Sequence, residues 1–183
     1  MRIAVGIVEV ASIAAGVRAA DAMLKTAQVD LLDAGATSPG KYVVTVGGNV
    51  ASVAAAVDAG VAEAGEQLLD KLLIAHLHQQ VLPAMQGLVV RAEVRAIGVV
   101  ETATVAGAIR AADAAAKTAV VDLLELRLAR GLGGKGYVTF TGDVGSVQVG
   151  VEAAAVAAAK DVVGTAVIPA PHPDLWPKLR RDA

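Results

Sequence analysis

From Ala4 the chain opens on a run that is apolar except for Glu9, "AVGIVEV", and then changes period. Between Ser12 and Thr26 apolar side chains return every three to four residues. The first pattern predicts a β-strand and the second a helix. On that helix Asp21 and Lys25 stand one turn apart, close enough for a surface ion pair. Two further apolar runs, "VDLLDAG" and "KYVVTVG", flank a segment with Gly and Pro and predict two strands around a turn. The stretch "NVASVAAAVDAGVAEAGEQLL" predicts a long Ala/Val helix with Asn49 as its N-cap, and "DKLLIAHL" predicts a closing strand. The order β-α-β-β-α-β is the ferredoxin-like arrangement, an α+β unit with an antiparallel sheet and helices on one face.

The whole pattern occurs twice. The segment "AVGIVEVASIAAGVRAADAMLKTAQVDLL" from Ala4 returns from Ala96 as "AIGVVETATVAGAIRAADAAAKTAVVDLL", identical at 18 of 29 aligned positions. A shared composition bias does not produce matches in this order, so the halves are homologous copies. After a length difference of two residues, "GKYVVTVGGNVASV" matches "GKGYVTFTGDVGSV", with Lys41 against Lys135 and Gly48 against Gly142. The predicted domains are therefore 1–91 and 92–183, joined by the short charged stretch "RAEVR" from Arg91 to Arg95.

Composition narrows the function classes. Hydrophobic residues make up 55% of 183 residues but aromatic ones only 2%, so the core must be packed from small branched side chains. A chain of that kind commonly gains further burial by associating. A net charge of −2 with no run of Lys or Arg leaves no footprint for nucleic acid. Zero cysteine excludes disulfides, thiolate nucleophiles and Cys-ligated zinc or iron–sulfur clusters. The apolar N-terminal stretch, interrupted by Glu9, is too short to span a bilayer, so a soluble, cytoplasmic protein is expected.

One string invites a nucleotide. "GLGGKG", from Gly131 to Gly136, has the spacing G-x-G-x-x-G, which cradles a pyrophosphate where a strand turns into a helix. Here it lies between two predicted strands, and "YVTFTGD" follows in place of a helix. A structural loop, whose glycines permit positive φ or close backbone approach, is the favoured reading.

The paired openings "AVGIVEVASIAAGVRAADAMLKTA" and "AIGVVETATVAGAIRAADAAAKTA", with "GKYVVTVGGNV", "VLPAMQGL" and "VIPAPHPDLW", resemble the tandem-domain shell proteins of bacterial microcompartments, above all the type found in propanediol-utilisation shells. The resemblance implies two unpermuted BMC domains, three chains of which form a pseudohexameric trimer. Such a tile packs edge to edge with other shell proteins, with encapsulated enzymes as candidate partners, and carries a central pore. By the same resemblance the pore is lined by Thr37, Ser38 and Pro39 of "GATSPG" and by Gly131, Leu132, Gly133 and Gly134 of "GLGG". Lys25 and Lys117 match the family's edge lysines; read from spacing alone they are solvated partners of a local Asp.

Two positions depart from the family. Relatives of the propanediol type can carry a Cys in the first pore loop, three copies of which hold an iron–sulfur cluster. Ser38 occupies that place here, and a hydroxyl is a poor iron ligand, so no cluster and no other cofactor is expected. In "VIPAPH" Ala170 stands where the family commonly has Arg, and the first copy has His76.

Other polar residues suggest little chemistry. His76 and His78, two apart, would share a face of a strand, but no acid or third His completes a metal site. His172 between prolines reads as a turn residue, and Trp176 as a packing anchor. Glu9 and Glu101, at equivalent places on the first strands, suggest a structural role made twice. No nucleophile–base pair is visible, so an enzyme is not expected. The reading is a shell tile whose pore passes a small polar metabolite or cofactor. The alternative is a small-molecule-binding or signalling trimer of ferredoxin-like domains, which would need basic residues converging on a cleft; the loops bring chiefly Lys41 and Lys135.

Overall fold

A computed structural model of the chain describes residues 4–88, 93–129 and 131–175. The expected boundary between 91 and 92 and the anchor Trp176 lie outside the described residues. Two compact units divide the chain. The first runs to Leu77 and also takes in Thr104–Ala106 and Ala129–Gly134. The second holds His78–Ala103, Gly107–Leu128 and the chain from Lys135 onward.

In the first unit the elements follow the expected order: β1 (Ala4–Val10), α1 (Ile13–Thr26), β2 (Asp30–Thr37), β3 (Lys41–Gly48), α2 (Val50–Ala64) and β4 (Leu68–Ile74). The sheet order is β2-β3-β1-β4, every pair antiparallel. β1 is buried at all seven positions, as an apolar run without alternation requires. Met23 of α1 and Val53, Ala56 and Val57 of α2 close over Val8, Val44 and Val46 to form the core. Ser12 caps α1 and accepts from Ala15 N–H; Asn49 caps α2 and accepts from Ser52 N–H.

Two expectations need correction. The closing strand is Leu68–Ile74, not Asp70–Leu77. Among the described residues its register with β1 ends at Val5↔Ile74, and Ala75 and His76 form a bend, so His76 and His78 do not share a strand face. Second, β2 runs to Thr37, with Gly35, Ala36 and Thr37 paired to Val43, Tyr42 and Lys41. The first loop is thus a tight turn of Ser38, Pro39 and Gly40, shorter than the six residues read from the sequence.

The second sequence copy repeats the plan with β5 (Ala96–Thr102), α4 (Val105–Thr118), β6 (Asp122–Leu128), β7 (Gly136–Gly142), α5 (Val144–Ala158) and β8 (Val162–Ile168), in sheet order β6-β7-β5-β8. Phe140, fully buried, lies against Gly98 of β5 and Gly150 of α5. Asp143 caps α5, accepting from the backbone and hydroxyl of Ser146, and these bonds hold its carboxyl below the usual range. A short helix that the sequence pattern does not announce, α3 (Val81–Met85), packs on β6. Ahead of it Gln80 accepts from Leu123 N–H and donates to the Val121 carbonyl, fastening the segment to the start of β6.

Candidate functional site

The first unit brings the two glycine-containing turns together. In one, Gly40 N–H donates to the Thr37 carbonyl across Ser38 and Pro39, whose peptide bond is cis. Ser38, Pro39 and Gly40 are all exposed. The Thr37 hydroxyl, by contrast, is buried with no hydrogen-bond partner among the described residues. In the other, Leu132 N–H donates to the Ala129 carbonyl, and Gly131, Gly133 and Gly134 all take positive φ. Gly134 is the tightest point: at φ +88 a side chain is strained, and a Cβ there would lie 2.8 Å from the Ser38 carbonyl oxygen and 3.1 Å from Pro39 Cδ. "GLGGKG" is therefore a turn leading into strand β7, with no helix after it to hold a phosphate.

Beneath these turns lies a buried acid that the sequence marks only by its repetition. Glu9 has no exposed side-chain surface, and its carboxylate receives Lys41 Nζ at 3.1 Å. The same carboxylate accepts the first two backbone N–H groups of α4, Val105 at 2.9 Å and Ala106 at 3.4 Å. Both helix donors would otherwise lack an intrahelical partner, and a negative charge is favoured at that end of the helix. Burial nevertheless raises the pKa of Glu9, outweighing the opposing pull of Lys41 and of the two amides. Lys41 also reaches the Gly134 carbonyl at 3.4 Å, so one ammonium ties the acid to the second turn. Nearby, the Thr104 hydroxyl donates to Asp70.

The equivalent acid of the second copy is placed differently. Glu101 meets Lys135 at 2.9 Å, but both side chains stay substantially exposed. Lys25 and Lys117 each pair with the Asp one turn earlier, at 2.6 and 2.5 Å, and the Lys25–Asp21 pair is open to solvent. An exposed pair of this type contributes a few tenths of a kcal/mol to its helix. The Ser38–Pro39 and Gly131–Gly134 turns thus meet at Gly134 in the first unit, whereas Lys25 and Lys117 stand in the last turns of their helices.

His78 donates its backbone N–H to Asp113. His172 sits in a turn, its ring accepting from Asp174 N–H. Among the described residues no group of three or more His, Cys, Asp or Glu is arranged to hold a metal ion, and no helix is long and apolar enough to cross a membrane. A cavity of about 290 Å³ in the second unit is lined by Gln80, Arg95, Val121, Asp122 and Thr141, among others.

Comparison with known proteins is consistent across sequence and fold. The shell protein PduT of Citrobacter freundii, a bacterial microcompartment protein, is 42% identical over 178 residues, covering 96% of this chain and 97% of its own. The crystal structure of a microcompartments protein from Desulfitobacterium hafniense DCB matches with a TM-score of 0.85 at 46% identity, over 97% of this chain and 99% of that one. A fused permuted hexameric shell protein from the RMM microcompartment shares the fold, with a TM-score of 0.63 at 24% identity over 86% of this chain and 84% of its own. The BMC domain matches residues 4–77 and 96–171. With two such domains in tandem and relatives of this kind along nearly its full length, the chain belongs to the BMC-domain family of microcompartment shell proteins.

Proposed function

We propose that this structural shell protein works as a homotrimeric tile, two BMC domains per chain with their boundary near residues 91 and 92, whose axial pore admits a small polar solute. The observation that carries the reading is the meeting of the two turns. Ser38 and Pro39 and the Gly131–Gly134 turn belong to different sequence copies, yet in one unit Gly134 lies close against the Ser38 carbonyl and Pro39. Turns of this kind, in contact at Gly134 and largely without side chains, suit a constriction around a symmetry axis, where Thr37, Ser38, Pro39, Gly131, Leu132, Gly133 and Gly134 would form the lining. Ser38 supplies an uncharged hydroxyl that donates or accepts hydrogen bonds, suited to a polar metabolite rather than to selecting ions.

Lys25 and Lys117 we assign to the tile edges, facing neighbouring shell proteins within the cytoplasmic compartment. The role is structural rather than enzymatic: the gathered residues are glycines, a proline and hydroxyls, with no base beside a nucleophile. Electron microscopy of the purified chain tests the reading. Flat hexagonal sheets, tubes or rolled layers are expected, whereas dispersed particles at every concentration would contradict it.

A further inference from the structure

The two copies share a sequence but not an environment. On α4, Val105 and Ile109 are 2% and 0% exposed; on α1 the matching Ile13 and Val17 are 48% and 53% exposed. Val105 and Ala106 N–H groups are held by Glu9, while for their counterparts Ile13 and Ala14, at the start of α1, no such carboxylate acceptor is found among the described residues. Glu101, the counterpart of Glu9, keeps its pairing with Lys135 but remains half-open. The exposed carboxylate and the exposed helix start are thus the two halves of a contact that the chain already makes once.

We propose that Glu101 docks on the N-terminus of α1 of a second copy, accepting from Ile13 and Ala14 N–H, so that the α1 face bearing Ile13 and Val17 is an interface between copies. The proposal rests on the trimeric reading above and names the residues that close the ring. Such an interface is heterologous, its two surfaces differing, and repetition from chain to chain gives a closed ring or a filament. A second template agrees with it. His78 N–H donates to the mostly buried Asp113, and the matching pair, His172 and Asp21, are both exposed on the single chain. The apolar pair and the charge then bury together, because the carboxylate that satisfies the helix amides also covers the adjoining face.

The absence of native cysteine makes the test clean. The double variant Glu101→Cys with Ala14→Cys, oxidised in its assembled state, is expected to give covalent dimers and closed trimers on a non-reducing denaturing gel, and each single variant only one-chain bands. A double variant that still sediments as a trimer but runs as a single chain overturns the contact while leaving the trimer standing. A wild-type chain that sediments as a monomer overturns both. Should the paired substitution not fold, hydrogen exchange on Glu101→Gln decides instead: Ile13 and Ala14 amides should exchange about tenfold faster than in wild type, with Val105 and Ala106 unchanged. Equal rates at Ile13 and Ala14 would overturn the contact.

Discussion

Glu9 shows how much one side chain carries. It is a carboxylate without solvent contact, tolerable because an ammonium and two helix amides surround it, and removal of the side chain would leave the Val105 and Ala106 amides buried without that acceptor. Truncation to Ala is therefore expected to cost about 2–4 kcal/mol. Its raised pKa fixes a sign. The folded protein holds the proton at pH values where the unfolded chain has already lost it, so this contribution is full below the ordinary carboxylate value and is lost as pH rises through the folded value. In urea titrations at fixed chain concentration, the midpoint of wild type should fall across that window relative to Glu9→Gln. Parallel profiles for the two proteins would remove Glu9 from the account. The sequence marks Glu9 only by its echo at Glu101; the helix it caps lies 96 residues further on, a distance no periodicity can bridge.

At the level of elements the duplication serves as an internal control. Helices α2 and α5 end on equivalent residues with the same left-handed backbone, Gly65 at φ 52 and Ala159 at φ 43. Only the second carries a Cβ in that conformation. Ala159→Gly should therefore stabilise the protein by roughly 0.5–1 kcal/mol, read as a higher thermal midpoint, and Gly65→Ala should lower it by a similar amount. A fall on Ala159→Gly would mean that the lost Cβ contributes more packing than the strain costs. The strands and both long helices were legible because their apolar periods differ and their caps, Ser12 and Asn49, are good acceptors. Less legible were the ends. β2 outran its apolar run because Ala36 and Thr37 still find partners on β3, and β4 ends at Ile74, where the chain bends at Ala75 and His76. Helix α3 has too few residues to display a period, and its anchor is the side chain of Gln80.

For the whole molecule, the turns at 38–40 and 131–134 could be named from the sequence, but their packing against one another depends on long-range folding. The Lys25 and Lys117 assignment is testable at this scale. Lys25→Asp combined with Lys117→Asp should leave the assembled particle intact yet abolish sheets in the microscope, since the altered sites act together across a repeating edge; intact sheets would return both lysines to solvated helix ends. The largest unspent feature is the exposed face of α1, with Ile13 and Val17 open and their counterparts on α4 buried. A chain whose second copy already shows what that face looks like when covered should not persist alone. The central claim is therefore met most directly by native mass measurement on the purified chain. It should give one dominant species of three times the 18.3 kDa chain mass, with no folded monomer on dilution. A folded species of a single chain mass, unchanged across concentration, would contradict the account.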